Sequence, residues 1–380
     1  MRILFSDFTL PQLLKDSEFP VGGWAVQLKI LLTALAALKH RSGVLTWKGA
    51  NGSVGDQSIC DLVETYDPNR GMRKLRLLYQ AIPAKLAAAR SYNPDVILQS
   101  CAGIDTAVLA FIAARLKVPF AVRLACNEDS DDRQPLYLRR YEYAAFRWGL
   151  QQARTVICQN DYQYANMKRR FPQTPLLLLP NAIECPTEWA YPAPRVKRSH
   201  IAWIGNFRRI KNVGLLYRVA SQARSIEFRV AGMRAQEVDP ETLSALTKLE
   251  SLPNVRLVGY LKRSDVFSFL SSATALLCTS ISEGAPNTFL EAFATGTPVI
   301  TRAGVDPSDI IARNRLGTVA ADDDQLVKGV RDTWKMDSDD YHQLAQRCRA
   351  YVEAHHQPSK IANALATHLQ SLISPRVSQL

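Results

Sequence analysis

The segment between residues 273 and 300 constrains the fold of this chain more than any other. Residues 273–278 (ATALLC) are short, apolar and bounded by polar residues, as is typical of a buried parallel strand. Gly284 and Pro286 then break the chain, so a tight loop leaves the carboxyl end of that strand. Residues 297–300 (TPVI) begin the next strand. This order predicts an open α/β sheet whose ligands collect at the carboxyl ends of its strands.

A short helix is predicted over residues 288–294, between the loop and the second strand. Asn287 or Thr288 is a suitable N-cap, and Gly296 is a suitable residue to end the helix. The free N–H groups at a helix start favour an anion, most often a phosphate. The segment therefore predicts a phosphate-binding helix start at the edge of a parallel sheet.

Two carboxylates lie in this segment, Glu283 in the loop and Glu291 on the helix. The loop and the helix can point both of them toward one ligand. A carboxylate accepts two hydrogen bonds from a vicinal diol, so Glu291 is a candidate for binding a ribose and Glu283 for binding a second sugar. If the pair stood alone, a local cap at Glu283 and a solvated helix residue at Glu291 would be the better interpretation.

The pair does not stand alone, because it lies within the frame Ser-Glu-Gly-x-Pro-Asn, Glu-Ala and Gly-x-Pro-Val over residues 282–299. This frame closely resembles the donor-binding signature of the GT-B glycosyltransferases of group 1, or family 4, which are of the retaining type. The resemblance implies that Glu283 contacts the donor sugar and Glu291 the nucleotide ribose. It also implies donor contacts at the helix start, from Asn287, Thr288, Phe289 and Leu290.

Length and composition restrict the class of protein. A chain of 380 residues predicts two domains. Its seven cysteines are scattered without a C-x-x-C pair, which favours reduced thiols in the cytoplasm over a disulfide framework or a zinc site. Polar residues follow the first apolar residues too early for the start of the chain to be a signal peptide. The longest apolar run, residues 30–38, is far shorter than the roughly 18–20 residues that span a bilayer.

The net charge of +12 calls for an anionic partner, for which nucleic acid, an anionic membrane surface and nucleotide phosphates are the three classes considered. A nucleic-acid-binding protein is expected to carry a recognisable motif or aromatic residues interleaved with its basic ones. Neither is present in the sequence, so nucleic acid ranks lowest of the three classes and is not predicted as a partner.

The first half of the chain alternates strands and helices, which predicts a parallel sheet. Strands are predicted over 2–8, 43–47, 94–98, 119–124, 155–158 and 176–179, and helices over 24–39, 72–90, 106–117, 135–152 and 162–170. Residues 9–21 are predicted to form a loop. Residues 48–69 contain many turn formers and have no periodicity, so no element is assigned to them.

Gly22 and Gly23 precede the first long helix. A glycine pair at a helix start lets the backbone turn sharply or approach a ligand, and on its own it favours a plain turn. The stretch Gly-Gly-Trp-Ala-Val-Gln, however, is similar to the Gly-Gly-x-x-x-Gln that follows the first strand in many group 1 members. This resemblance implies that the two glycines approach the donor phosphates or the acceptor.

The helix over 72–90 sets basic side chains beside leucines, its basic residues being Arg73, Lys74, Arg76, Lys85 and Arg90. A basic amphipathic helix of this kind can lie on anionic lipid. The alternative, and the better one on the pattern alone, is a helix packed on the sheet with its basic face in water. Many group 1 relatives act on lipid-linked acceptors, which keeps the lipid surface as a second partner.

A polar cluster follows the strand over 119–124, and Asn127, Glu128 and Asp129 are its candidates for contacts on the acceptor side. Many relatives carry a histidine here, close to the donor sugar, whereas this chain has none. The Asp-x-Asp within the cluster is too short and too common to predict a metal site, so no metal is predicted. Acceptor contacts and a solvated loop remain equal alternatives for these residues.

A proline-rich linker over 186–194 leads to a second α/β domain, which opens with a strand over 200–204 and Gly205. Three cations then precede a helix over 213–222, which suits a diphosphate. The loop is similar to the Gly-x-x-x-x-x-Lys phosphate loop of the family, with Lys211 at the lysine position. Relatives often carry an arginine where this chain has Asn206, and Arg208 or Arg209 is the candidate to replace that charge, with Arg208 preferred.

The remaining predicted elements complete the second domain. Strands are predicted over 227–230, 255–260 and 317–320, and helices over 263–271, 322–334, 339–355 and 359–373. The strand over 255–260 resembles the one whose end faces the nucleotide base, so the backbone of Tyr260 and Leu261 is expected to contact the base.

Together these features predict a GT-B fold of two doubly wound Rossmann-like domains facing a cleft. We assign residues 1–190 to the acceptor side and 191–358 to the donor side, with a C-terminal helix over 359–380 as a candidate for packing back on the first domain. The resemblance implies transfer of a sugar, with retention of configuration, from a nucleotide-diphosphate donor to a hydroxyl acceptor. Lys211 and Arg208 would stabilise the leaving diphosphate.

No cofactor is predicted beyond the nucleotide sugar itself. A lipid-linked or glycan acceptor, surface polysaccharide or glycolipid biosynthesis, and a cytoplasmic location on the inner face of a membrane follow by analogy. Two alternatives remain open: a nucleotide-sugar epimerase, which would convert the donor without an acceptor, and a non-catalytic binding subunit, which would bind the donor without turnover.

Overall fold

The computed structural model of the chain describes residues 1–15, 22–50, 59–71, 75–135, 138–187, 192–234 and 238–373. The chain divides into two compact units. The first comprises Met1–Ala182 together with the C-terminal helix from Pro358, and the second comprises Ile183–Gln357.

The strands of both units are short and mostly buried. In chain order they are β1 (Arg2–Ser6), β2 (Arg41–Thr46), β3 (Asp61–Glu64), β4 (Val96–Ser100), β5 (Phe120–Arg123), β6 (Thr155–Cys158), β7 (Leu176–Leu178), β8 (His200–Ile204), β9 (Phe228–Ala231), β10 (Val255–Gly259), β11 (Ala273–Leu277), β12 (Val299–Arg302) and β13 (Gly317–Ala320).

The α-helices alternate with these strands. They are α1 (Leu10–Leu14), α2 (Gly23–Ala37), α3 (Ile82–Tyr92), α4 (Ile104–Leu116), α5 (Arg140–Gln151), α6 (Asp161–Arg170), α7 (Val213–Gln222), α8 (Pro240–Glu250), α9 (Val266–Ser271), α10 (Asn287–Ala294), α11 (Ile310–Asn314), α12 (Asp323–Lys335), α13 (Ser338–His355) and α14 (Pro358–Leu372).

The first unit is built on a seven-stranded parallel sheet in the order β3-β2-β1-β4-β5-β6-β7. Buried apolar side chains cover both faces of its strands, as a parallel sheet with helices on both sides requires. The last helix, α14, belongs to this unit, because Ile361, Leu365 and Leu369 lie in one core with Leu28 and Leu31 of α2.

The second unit is built on a six-stranded parallel sheet in the order β10-β9-β8-β11-β12-β13. Helices α7, α8 and α12 bury one face of this sheet, and α9, α10 and α13 bury the other. Both sheets change the direction of winding next to their first strand, between β1 and β4 and between β8 and β11. This arrangement confirms the predicted class of two doubly wound, Rossmann-like domains.

Four predictions about local structure were wrong or incomplete. The loop predicted over 9–21 contains the short helix α1, whose start is stabilised by Asp7: its Oδ1 accepts the N–H groups of Thr9 and Leu10, both at 2.7 Å. The region left unassigned, 48–69, contains the edge strand β3. Helix α8 was not predicted at all. The cap predicted at Asn287 or Thr288 is instead Pro286, and those two residues lie in the first turn of α10.

The basic face predicted for the helix over 72–90 is also wrong in part. The described part of this segment contains a π-helical turn, Leu77–Ala81, that continues into α3, and residues 72–74, including Arg73 and Lys74, lie outside the described residues. Lys85 is buried rather than solvated, and its Nζ lies 2.6 Å from Asp105 Oδ1. Arg90 is exposed, as predicted, but four large apolar side chains are exposed as well, namely Leu75, Leu77, Leu78 and Tyr79.

Candidate active site at the carboxyl edge of the second sheet

Two loops meet where the winding of the second sheet reverses. Strand β8 ends at Ile204 and leads to residues 205–211, and the neighbouring strand β11 ends at Leu277 and leads to residues 278–286. The carboxyl ends of neighbouring parallel strands lie at one edge, which is where open α/β sheets bind ligands. The topology therefore brings together the two segments that the sequence singled out.

Lys211 and Glu283 form an ion pair across these two loops. Lys211 Nζ lies 2.6 Å from Glu283 Oε1, and the Ser280 hydroxyl donates to the same oxygen at 2.6 Å. Both charged side chains are largely buried, with 28% and 17% of their surface exposed. The pairing places the predicted phosphate-binding lysine and the predicted sugar-binding carboxylate in direct contact.

Hydrogen bonds fix the backbone around this ion pair. The indole Nε1 of Trp203 donates to Thr279 Oγ1 at 3.0 Å, and the Thr279 hydroxyl donates to the Lys211 carbonyl oxygen at 2.8 Å. The Ile281 N–H donates to the Ile210 carbonyl oxygen at 2.8 Å. Trp203 and Thr279 were not predicted as site residues, and an indole at a strand end beside a phosphate loop was the only available signal.

A small cavity of about 10 Å³ lies at the ion pair. Its lining includes Lys211, Glu283, Thr288 of α10 and Cys278. Burial, together with the nearby charge of Glu283, raises the pKa of the Cys278 thiol. A thiol held neutral in this way packs as a small apolar group, so the cations and carboxylates provide the chemistry of this edge.

Glu291, the second predicted carboxylate, lies on α10 with only 3% of its side chain exposed, and it forms an ion pair with Arg263. Arg263 begins a 3-10 turn, Arg263–Asp265, shortly after the end of β10. Its guanidinium also lies 5.8 Å from the centre of the Phe267 ring. The sequence prediction stopped at Tyr260 and Leu261 on this loop and missed Arg263.

The first turn of α10 combines partly buried polar residues with core residues. Asn287 and Thr288 are partly exposed, whereas Phe289 and Leu290 are 1% and 4% exposed and pack in the core beneath the helix. Any contact of Phe289 or Leu290 with a ligand is therefore limited to their backbone. Two buried arginines fix the other end of α10: Arg349 donates to the Ala294 carbonyl at 2.6 Å, and Arg198 donates to the Thr295 carbonyl at 2.9 Å.

Gly205 follows β8 and is held close to the end of β9. Its N–H donates to the Ala231 carbonyl at 3.0 Å, and a Cβ on Gly232 would lie 2.0 Å from the Gly205 carbonyl oxygen. Further along the loop, Asn206 and Arg208 are exposed. Tyr260 is partly buried near the end of β10. The roles that the sequence predicted for Gly205, Arg208 and Tyr260 stay predictions.

The carboxyl edge of the first sheet carries a separate group of charged residues. Lys85 contacts both carboxylate oxygens of Asp105, at 2.6 and 2.7 Å, and its Nζ lies 4.8 Å from the centre of the Phe8 ring. Asp7 is 8% exposed, and burial raises its pKa. Lys85 and Asp105 lie far apart in sequence, and no local pattern pointed to this pair.

Arg123, at the end of β5, is also buried, with 2% of its surface exposed. One guanidinium nitrogen donates to Asn181 Oδ1 at 2.6 Å, and the guanidinium lies 5.4 Å from a ring of Trp24. Burial lowers the pKa of Arg123 to about 10. Trp24 belongs to the first turn of α2, which begins at the predicted glycine pair: Gly22 is the N-cap and Gly23 the first helical residue, and both are exposed.

The three predicted acceptor-side residues form a 3-10 turn, Asn127–Ser130. Asp129 is 1% exposed and accepts the backbone N–H groups of Ala125 and Cys126 at 2.9 and 3.0 Å, so its carboxylate stabilises its own turn. Asn127 Oδ1 accepts from the Asn160 amide at 2.9 Å. Glu128 is partly exposed. An acceptor contact stays a prediction for all three residues, and Asp129 is the least accessible of them.

Two family models match complementary parts of the sequence. Residues 21–185 match a model described as Glycosyltransferase Family 4, and residues 198–335 match a model described as Glycosyl transferases group 1. The chain belongs to the group 1 glycosyltransferases of the GT-B fold. The family predicted from residues 282–299 is therefore confirmed. No curated protein sequence matches this glycosyltransferase.

Solved structures show the same fold at low sequence identity. Sucrose-phosphate synthase from Thermosynechococcus elongatus is 17% identical with a TM-score of 0.78, and the match covers 98% of this glycosyltransferase and 99% of the synthase. Anabaena HepE, solved in complex with UDP-glucose, is 16% identical with a TM-score of 0.73, over 98% and 100% of the two chains. WaaG, described as a glycosyltransferase involved in lipopolysaccharide biosynthesis, is 19% identical with a TM-score of 0.65, over 95% and 98%.

Among the helices in the described ranges of this glycosyltransferase, none combines the length and the apolar character that crossing a bilayer requires.

Proposed function

We propose that this glycosyltransferase moves a sugar from a nucleoside-diphosphate donor to a hydroxyl acceptor with retention of anomeric configuration. The observation that carries the proposal is the presence of two partly buried ion pairs, Lys211 with Glu283 and Arg263 with Glu291, at the carboxyl edge of the second sheet. Each pair holds a carboxylate suited to sugar hydroxyls beside a cation. A nucleotide sugar presents two sugar units joined by a diphosphate, which matches two carboxylates separated by the start of α10.

In this proposal Glu291 accepts hydrogen bonds from the ribose, and Glu283 orients the donor sugar. Lys211 leaves Glu283 for the diphosphate, where its charge stabilises the leaving group as the glycosidic bond breaks. Arg208, exposed on the same loop, contributes a second positive charge, and the N–H groups of the first turn of α10 complete the phosphate site. The UDP and UDP-glucose complexes of HepE support a nucleotide sugar as the ligand of this fold.

Retention rests on the family resemblance and assigns no residue as a nucleophile. The diphosphate oxygen released from the sugar is the group closest to the incoming hydroxyl in a same-face displacement, so it is the proposed acceptor of the hydroxyl proton. The bond from the sugar carbon to the diphosphate oxygen breaks as the bond to the acceptor oxygen forms.

The acceptor is proposed to be a glycan or a lipid-linked glycan, in surface polysaccharide or glycolipid biosynthesis. WaaG, a relative in fold, is described as acting in lipopolysaccharide biosynthesis, which supports this assignment. The exposed leucines at residues 75–78 and the net charge of +12 support a role at an anionic lipid surface, and a cytoplasmic enzyme on the inner face of a membrane fits both.

Donor turnover with a Lys211→Ala variant tests this proposal. Nucleoside-diphosphate release is measured from UDP-, GDP- and ADP-sugars, with Lys328→Ala, at an exposed lysine on α12, as the matched control. Loss of one charge-assisted contact to a phosphate costs roughly 1.5–3 kcal/mol, so we expect Lys211→Ala to lower turnover by about one to two decades. Near-normal turnover in folded Lys211→Ala protein would contradict the assigned role.

The same assay separates the two alternatives. Proton NMR of the sugar product shows whether the anomeric configuration is retained. An epimerase would convert the nucleotide sugar without any acceptor, and a binding subunit would bind the nucleotide without releasing a sugar. Either result would replace the transferase assignment.

A further inference from the structure

We propose that Arg263 is a positioning residue for the donor: it holds the Glu291 carboxylate in the orientation that binds the ribose hydroxyls. The inference rests on the proposed function, because it assumes that Glu291 contacts a ribose. It adds Arg263, which lies on a different loop, to the residues of the donor site. In this inference Arg263 acts on the donor only through Glu291, which in turn contacts the ribose diol.

The burial of Glu291 is the first step of the argument. Its side chain is 3% exposed, so water solvates it very little. Removing a carboxylate from water costs several kcal/mol unless a partner compensates for it. Arg263 is the ion-pair partner of Glu291. Without this guanidinium, the carboxylate would turn toward another donor or toward water.

The geometry of Arg263 is the second step. The residue lies at the start of a 3-10 turn shortly after β10, and it pairs with Glu291 through one guanidinium nitrogen, Nη1. The guanidinium also lies 5.8 Å from the centre of the Phe267 ring, so an aromatic face restricts it as well as the carboxylate. A planar guanidinium restricted from two directions orients its partner more strictly than a flexible ammonium does.

The capacity of the carboxylate is the third step. The ion pair is made through Glu291 Oε1. Two carboxylate oxygens together offer about four acceptor positions, so Arg263 and both hydroxyls of a vicinal diol can share the group. The backbone that carries Glu291 is fixed as well, because it belongs to α10, where the adjacent Leu290 and Ala292 are 4% and 0% exposed and pack in the core. The carboxylate is therefore held in one place before any nucleotide binds, which lowers the entropic cost of binding.

The test compares ribonucleotides with analogues that lack the diol. Affinities of UDP, ADP and GDP, and of their 2′,3′-dideoxy counterparts, are measured by calorimetry for the wild type, Arg263→Gln and Arg263→Lys. Arg256→Gln, which removes an exposed arginine from β10, is the matched control. We expect the wild type to bind its tightest ribonucleotide with at least ten times the affinity that it has for the 2′,3′-dideoxy counterpart, and this ratio is its preference for the diol. Arg263→Gln should reduce this preference to threefold or less while changing the dideoxy affinity by less than threefold, and Arg263→Lys should fall between the two.

Four results would overturn the inference, and they are distinguishable. Equal weakening of both nucleotide series in Arg263→Gln would show a general charge effect. An unchanged preference in folded Arg263→Gln or Arg263→Lys would show that Glu291 is positioned without Arg263. If the wild type binds a nucleotide but does not prefer the diol, Glu291 does not read a ribose, and if it binds none, the proposed function fails with the inference. Unfolding temperatures of all variants identify one that has failed to fold.

Discussion

His200 illustrates at the scale of one residue how burial makes a side chain sensitive to pH. The residue opens β8 and is 0% exposed, and its ring centre lies 5.2 Å from that of Phe269. Burial, with the nearby positive charge of Arg229, lowers its pKa to about 4 from the ordinary 6.5. The folded protein thus keeps His200 neutral at a pH where the unfolded chain already binds a proton.

The sign of the resulting pH dependence follows from that difference. Between about pH 6.5 and about pH 4 the unfolded chain binds more protons, so the free energy of unfolding falls as the pH falls, by roughly 2–4 kcal/mol in all. We expect His200→Phe to flatten this part of the pH dependence in urea unfolding experiments. The exposed His342→Gln variant is the control and should retain the slope. A wild-type slope in His200→Phe would contradict this account.

The contact between β9 and the loop after β8 shows, at the scale of elements, how the second sheet shapes the phosphate loop. A Cβ on Gly232 would lie 2.0 Å from the Gly205 carbonyl oxygen, and backbone atoms at that distance cannot yield as a flexible side chain can. The Gly232 N–H also donates to the Gly259 carbonyl oxygen at 2.8 Å, which ties together the ends of β9 and β10. The loop that carries Lys211 thus depends on a glycine in a neighbouring strand end.

We therefore predict that Gly232→Ala displaces Gly205, destabilises the protein by about 1–3 kcal/mol and weakens nucleoside-diphosphate binding at least tenfold. Gly214→Ala is the matched control, because its Cβ would meet nothing closer than 3.7 Å in the first turn of α7. That control should leave stability unchanged or raise it by about 0.4–1 kcal/mol. Calorimetric titration and urea unfolding measure both effects. If both variants have the same stability and the same affinity for the nucleoside diphosphate, the close approach of Gly232 to Gly205 does not shape the phosphate loop.

The same elements show what the sequence predicts and what it does not. Strands β6, β8 and β13 and helix α7 have the predicted bounds, because apolar runs with polar or glycine boundaries mark them clearly. The edge strand β3 begins and ends with acidic residues, and it has too few apolar residues for the alternating pattern of a strand to be recognised. Helix α8 had local signals, Asp239 as the N-cap and Pro240 in the first turn, that went unused.

No local sequence pattern predicts which residues form ion pairs between distant segments. The donor motif predicted Glu283, Glu291 and Lys211 as site residues, and the structure places Lys211 and Glu283 in contact. Arg263 pairs with Glu291 across 28 positions and Lys85 with Asp105 across 20 positions, so only the tertiary fold reveals either partner. The buried Lys85 also shows that a basic residue on a helix is assigned to a solvated face only when the neighbouring element is known.

At the scale of the whole molecule, net charge and exposed apolar residues together predict binding to lipid. The leucines at positions 75 and 78 are 52% and 68% exposed, and the chain carries a net charge of +12. We expect the protein to co-sediment with phosphatidylglycerol vesicles at low salt more than with phosphatidylcholine vesicles, and the variant with Leu75→Gln and Leu78→Gln to lose most of this binding. Leu243→Gln, at a leucine that is 43% exposed on α8, is the control. Equal sedimentation with both kinds of vesicle would contradict the electrostatic part of the prediction.

A thermal-shift screen with UDP, GDP, ADP and CMP tests most directly the central claim, that the carboxyl edge of the second sheet binds a nucleoside diphosphate. A ligand that binds only the folded state adds about 2.7 kcal/mol to its stability at one hundred times the dissociation constant. We predict a clear rise in unfolding temperature with one diphosphate and loss of that rise in Glu291→Ala. The absence of a shift with any nucleotide, or an equal shift in Glu291→Ala, would contradict the account.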